Sequence, residues 1–306
     1  MGGAAELLDP CRAVWTRALS VSPYALRETL LGELAAYFGL DRREALRRCR
    51  AASARIAAAW HDAAPRSAAD VQAFYRQPLD YAFDLLWWHS LAQGDRGLLC
   101  PLPGMRAAYR LGARRALDFG GGGGSHALAL AACGFDVTLA DVSADLLAFA
   151  AWRARLRDRA LQMLLLPRDP LGGPYDLMLA VDVFEHLPSP ADTLAVLAGH
   201  LREGGFIFIN MAAGPSAEAP QHISFWGEQL VIEGGFREVL GFGPGSVLLQ
   251  RMGPPRLRGT PPRYEQAPAK SRPGVPVISP ALWWQQTAAW RAAGRLPRSP
   301  VPLTSP

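Results

Sequence analysis

Between residues 113 and 252 the chain alternates short apolar runs with helical patterns, and this alternation limits the fold more than any other feature. Arg115–Phe119, Phe135–Ala140, Leu161–Leu166, Tyr175–Val181 and Phe206–Asn210 read as strands. Ser125–Cys133, Ser143–Arg159 and Pro190–Leu201 read as the helices between them. Strands joined by helices of this length require right-handed crossovers and a parallel sheet. A helix around Phe225–Glu233 and two closing strands, Phe236–Phe242 and Ser246–Met252, are expected to follow.

The first crossover begins with DFGGGGGSH, an aspartate (Asp118) followed by an unbroken glycine run. Glycine is costly to order, so the run needs a reason. Gly120, Gly122 and Gly124 alternate, as D-x-G-x-G-x-G between a strand and a helix. Such a turn lets the main chain approach a ligand, and the next helix presents its free N–H groups there. The second strand runs into Asp141, within LADVS, an acid placed to meet the hydroxyls of a ribose. A plain strand-to-helix connection is the bland alternative. A nicotinamide or flavin dinucleotide site is the sharper one, since Gly122-x-Gly124-x-x-Ala127 approaches that fingerprint. Asp118 separates the two: an acid just before the glycines repels a pyrophosphate and suits an amine.

Two segments, ALDFGGGGGSHALALAACGFDVTLADVS and YDLMLAVDVFEHLPSPADTLAVLAGHLREGGFIFIN, resemble the class I S-adenosylmethionine-dependent methyltransferases, in particular the small-molecule branch with a VFEHL-type segment. The resemblance covers residues 113–252. It implies a Rossmann-like seven-stranded α/β sheet of order 3-2-1-4-5-7-6 with the last strand antiparallel, and S-adenosylmethionine as cofactor. It places Asp118 near the cofactor amine and Gly120, Gly122 and Gly124 along the turn. Asp141 would hold the ribose and Val142 would pack on adenine. Asp169 would meet the adenine amine, although the preceding Arg168 departs from the family's usual glycine and a turn role stays open. Asp182, Glu185 and His186 follow the fourth strand and would flank the sulfonium and the acceptor, with capping and packing as the alternative for the last two. His222, in QHISFW, would lie near the acceptor or cap a helix. The implied reaction is methyl transfer to an oxygen, nitrogen or carbon of a small molecule, with His186 or His222 as general base. A peptide acceptor, a dinucleotide-dependent oxidoreductase and a non-catalytic cofactor-binding module remain as alternatives.

Residues 1–112 read as a helical cap that would confer substrate selectivity. Ser22-Pro23 opens a helix to Phe38; Asp41 with Glu44, and Ser67 with Asp70, have capping spacing; Pro78 opens a helix through Leu91. Trp87, Trp88 and His89 in that helix read as core or interface. Residues 253–306 hold 12 of the 26 prolines and read as a tail, with a short helix over Pro280–Ala293 carrying Trp283, Trp284 and Trp290.

The net charge of +5 divides as +3 over residues 1–112, −5 over 113–252 and +7 over 253–306. The candidate catalytic region is therefore acidic, which argues against a nucleic-acid substrate. Cys11, Cys49, Cys100 and Cys133 form no metal-ligand spacing, so no metal is expected and a reducing, cytoplasmic setting fits. The expected partners are a small-molecule acceptor and a second copy of the chain, as a homodimer, without a membrane.

Overall fold

The computed structural model describes residues 11, 13–20, 26–77, 80–90, 97–211, 215–217, 219–224, 230–243 and 246–259. Its centre is a seven-stranded sheet of order β3-β2-β1-β4-β5-β7-β6. The strands are β1 (Arg115–Phe119), β2 (Asp136–Asp141), β3 (Gln162–Leu165), β4 (Tyr175–Ala180), β5 (Leu201–Asn210), β6 (Val231–Gly243) and β7 (Ser246–Arg258). β1 to β5 pair in parallel, and β7 is antiparallel to both β5 and β6. This is the Rossmann-like order, with its antiparallel last strand, expected from the sequence. Ala116, Leu117, Leu177, Met178 and Leu179 are buried, because helices cover both faces of a parallel sheet.

Among the described residues six helices precede the sheet: α1 (residues 13–19), α2 (Leu26–Phe38), α3 (Arg42–Ala63), α4 (Ala68–Arg76), α5 (Tyr81–Ser90) and α6 (Pro101–Arg110). Three cross between strands: α7 (Ser125–Ala132), α8 (Ala144–Arg155) and α9 (Pro190–His200). The capping spacings are realised as bonds. Asp41 Oδ1 accepts the Glu44 N–H at 2.7 Å, and Ser67 Oγ accepts the Asp70 N–H at 3.2 Å. α3 buries Ala45, Cys49, Ala52, Ile56 and Trp60 at helical spacing.

The sequence reading needs three corrections. First, Val231–Glu233 belong to β6 and not to a helix. Val231 and Ile232 face Arg258 and Leu257 of β7, and β-branched residues suit that pairing; residues 225–229 lie outside the described part. Second, β7 continues to Arg258, so the boundary drawn at 252 falls inside a strand. Pro254 and Pro255 are tolerated there because the β6–β7 register shifts between Gly234 and Phe236, where ladder donors are not required. Third, α6 was not expected. It packs on the sheet, with Gly104 against Leu248, and so lies on the sheet side of the boundary drawn at 112. The Ser22-Pro23 cap and the Trp283 helix lie outside the described residues.

Ile56, Trp60, Val71 and Phe74 of α3 and α4 form a small buried cluster with Ile223, while the rest of the cap shares its core with the sheet layer. Trp15, Leu30, Leu34, Phe83 and Leu86 share one buried cluster with Leu130, Leu139 and Phe149 of the sheet layer. Among the described residues no helix is long and apolar enough to cross a membrane.

Candidate active site

Asp118, Asp141, Asp182 and Asn210 stand at or just beyond the carboxyl ends of β1, β2, β4 and β5, the edge where open α/β sheets bind ligands. The glycine turn crosses this edge. Gly120, Gly122 and Gly124 have φ of 67°, 52° and 77°, the left-handed region that side chains disfavour. Gly121 is required for another reason. A Cβ there would press far inside contact distance on Asp118 Oδ2 and Leu139 Cδ1. Gly121 thus makes room for the aspartate, a role that the spacing pattern did not reveal.

Asp118 is buried, and its carboxyl accepts the Ala127 N–H of α7. Its Oδ2 has no hydrogen-bond partner. Burial, reinforced by the Asp141 carboxylate and opposed by the Ala127 N–H, pushes the Asp118 pKa up to about 7. Asp141 is buried too. Its Oδ2 accepts the Gly122 N–H at 2.9 Å and its Oδ1 the Ser143 N–H at 2.8 Å, so it ties the glycine turn to the end of β2. Burial raises its pKa while the Ser143, Gly122 and Val142 N–H groups lower it.

The cap lies directly on this turn. Leu85 of α5 sits over Gly122 and Leu86 over Gly123. Beneath them runs a buried polar chain. Arg153 of α8 is fully buried, donates from Nη1 to Gly123 O and, at 3.1 Å, to Ser125 Oγ, and pairs through Nε with Glu33 Oε2 of α2 at 2.8 Å. His89 Nδ1 lies 2.7 Å from the same Ser125 Oγ. His89 is thus core, as the sequence reading allowed, with burial holding its pKa well below the ordinary value. Trp88 is exposed and Trp87 takes Arg27 on its face. Glu33 and Arg153 carried no sequence signal, since buried partnership between distant helices leaves no local pattern.

At the β4–β5 edge, Asp182 has φ of 53° and is locked to Asn210: its N–H donates to Asn210 Oδ1 and its Oδ1 accepts from Nδ2, both at 2.6 Å. A 3-10 turn, Phe184–His186, then presents Glu185 and His186. The Glu185 carbonyl accepts the N–H groups of Ile223 and Ser224, which brings His222 alongside, with ring centroids 4.9 Å from His186. Side-chain ligand atoms of Glu185, His186 and His222 all lie within 4.8 Å of one another, a spacing that one small cation could bridge. The sequence did not predict the fourth member. Tyr75 of α4 places its hydroxyl 2.7 Å from His186 Nδ1. Loss of hydration, together with the adjacent His222 and against the Gln221 carbonyl, pushes the His186 pKa down to about 3.

Asp169 stands apart in its bonding. Both its oxygens pair with Arg168 at 2.9 Å and Oδ2 accepts the Leu165 N–H at 2.8 Å. Arg168 first, then the Leu165 N–H, hold its pKa at about 2. This is the bonding of a turn acid, the alternative left open by Arg168.

S-adenosylmethionine carries an amine, a ribose and a sulfonium. The donor set fits it at two points: Asp118 keeps an open buried oxygen for a cation, and Asp141 is an acid fixed against the glycine turn.

Comparison with known proteins agrees. Residues 96–239 match a family model described as a methyltransferase domain. A ubiquinone biosynthesis O-methyltransferase of Burkholderia orbicola (strain MC0-3) is 29% identical over 108 residues, 34% of this chain and 47% of that protein. One from Methylococcus capsulatus is 30% identical over 110 residues, 35% of this chain and 46% of that protein. The chain thus spans less than half the length of these curated relatives. Among solved structures, an arsenic(III) S-adenosylmethionine methyltransferase from Chlamydomonas reinhardtii is 26% identical with TM-score 0.29, covering 31% of this chain and 37% of that one. The amino pentose methyltransferase CalS10 from Micromonospora echinaspora is 23% identical with TM-score 0.32, covering 49% and 73%. Residues 96–239 are thus similar to a methyltransferase-domain family, and the matches support a class I S-adenosylmethionine-dependent methyltransferase domain there.

Proposed function

We propose that this protein transfers a methyl group from S-adenosylmethionine to an oxygen of a small molecule. One observation carries the reading: a buried acid with an open oxygen, Asp118, precedes a left-handed glycine turn that a second acid, Asp141, holds from the next strand. The similarity to O-methyltransferases favours oxygen over nitrogen or carbon.

In this reading Asp118 holds the amine, the glycines line the methionine and ribose portion, and Asp141 takes the ribose hydroxyls beside Val142. Asp182, fixed by Asn210, borders the sulfonium. Asp169, already paired with Arg168, stays at the rim. When bound, the cofactor supplies an electrophilic methyl on a positively charged sulfur. The protein's task is then alignment, exclusion of water and acceptance of one proton. Leu85 and Leu86 roof the turn and keep it dry. His186 and His222 form the acceptor end, and burial keeps His186 unprotonated throughout the physiological range.

The test is formation of S-adenosylhomocysteine from S-adenosylmethionine with a panel of phenols, catechols, hydroxy acids and amino sugars. Turnover with a hydroxyl acceptor supports the proposal. Turnover confined to amines or peptides would redirect it, and hydride transfer from NADH instead would overturn it.

A further inference from the structure

We propose that Tyr75, a residue of the helical cap, is the positioning residue that fixes His186 in the tautomer with Nδ1 protonated and Nε2 free to accept the acceptor's proton. The proposal rests on the methyl-transfer reading for its catalytic meaning, but the tautomer assignment stands on hydrogen bonds alone.

Three polar atoms meet at this point. Tyr75 Oη lies 2.7 Å from His186 Nδ1 and 3.3 Å from Gln221 O, and His186 Nδ1 lies 3.4 Å from Gln221 O. Gln221 O is a carbonyl and can only accept. Tyr75 has a single proton to give. If that proton goes to His186 Nδ1, the Gln221 carbonyl receives nothing from either neighbour, and Nε2 must carry the imidazole proton. If Tyr75 donates to Gln221 O, its oxygen is free to accept from Nδ1–H, and both contacts become hydrogen bonds. A buried carbonyl left without a donor is penalised, so the second arrangement prevails. It leaves a lone pair on Nε2, across the ring from Tyr75.

Other titratable groups surround the pair. His222 from the 221–224 loop, Glu185 from the 3-10 turn and Tyr81 from α5 are the titratable groups packed around the pair, the Tyr81 ring centroid lying 5.7 Å from that of Tyr75. Burial pushes the hydroxyls of Tyr75 and Tyr81 well above their ordinary pKa, so neither gives up its proton to the ring. A neutral His186 of low basicity still suffices for this chemistry. An alkylated hydroxyl becomes strongly acidic as its bond to carbon forms, so the proton moves late to Nε2. The acceptor O–H bond breaks and an N–H bond forms. The oxygen's own lone pair makes the new bond to carbon, and the carbon–sulfur pair departs with sulfur.

The experiment is long-range proton–nitrogen correlation of the histidine rings in the full chain labelled with 15N-histidine, at neutral pH in EDTA-treated buffer. His186→Gln assigns the signals. The expected result is a pyrrole-type Nδ1 and a pyridine-type Nε2 in His186. In Tyr75→Phe the ring drifts toward the Nε2-protonated form. A wild-type His186 that carries its proton on Nε2 overturns the proposal, whether or not Tyr75→Phe folds. The kinetic arm reads kcat. Tyr75→Phe loses about 10-fold at unchanged KM for the cofactor, and adding it to His186→Gln costs nothing more. Independent, multiplying losses contradict a shared role. A wild-type chain with the expected tautomer but no methyl transfer refutes the function and not the tautomer.

Discussion

At the residue scale, space and charge around Asp118 govern the site. Gly121→Ala would drive a methyl group onto the buried Asp118 carboxyl and Leu139. The expected loss is about 1–3 kcal/mol in urea unfolding. Gly199→Ala, exposed in α9 with nothing near its Cβ, should instead gain about 0.5–1 kcal/mol. The Asp118 pKa of about 7 sets a second prediction. The folded protein holds this proton where the unfolded chain has released it, between the ordinary carboxyl pKa of about 4 and about 7. Stability of the ligand-free protein therefore falls as pH rises through that window. Affinity for an amine-bearing ligand rises through the upper part of it, because only the carboxylate attracts the cation. Melting and titration curves from pH 5 to 8 would show both slopes, and both should flatten in Asp118→Asn. The DFGGGGGSH segment revealed the acid and the alternating glycines, since left-handed turns demand glycine at fixed places. It could not show why Gly121 is glycine, because that reason is a contact formed only after folding.

At the scale of elements, the helix–strand alternation was readable because a sheet covered on both faces buries every position of its strands. α6 escaped notice because the prolines of PLPGM resemble a loop until Pro101 is seen at the first helical turn. The start of β6 was misread because a short apolar run such as Leu230–Ile232 cannot be told from a helix segment by periodicity alone, and only pairing with β7 decides. Joining cap to turn, the Glu33–Arg153 pair was invisible for the same long-range reason. Both partners are buried, so removing one strands the other. Glu33→Ala should cost about 3–5 kcal/mol in chemical denaturation. Glu33 also pairs with Arg157, so replacing Glu33 with Leu and both Arg153 and Arg157 with Met, which leaves no member of the cluster unpaired, should cost clearly less, as a multiple-mutant cycle would measure.

At the scale of the whole molecule, the cap and the sheet are joined at both ends of the site edge. Leu85 and Leu86 sit on the glycine turn, Arg153 binds α2 to it, and Tyr75 reaches His186 at the other end of the sheet edge. A chain lacking residues 1–80 should therefore lose its cooperative thermal transition, although every strand is retained; a sharp transition in calorimetry would show that the sheet domain folds alone. In the proposed function, these contacts would put the acceptor end and the cofactor site on a shared wall. The central claim is that this wall holds S-adenosylmethionine, and isothermal titration of the full chain with S-adenosylhomocysteine and, separately, NADH tests it most directly. The account predicts saturable one-to-one binding of S-adenosylhomocysteine, weakened by about 1.5–3 kcal/mol in Asp141→Ala, and no binding of NADH. Binding of NADH alone, or S-adenosylhomocysteine affinity unchanged in Asp141→Ala, would contradict it.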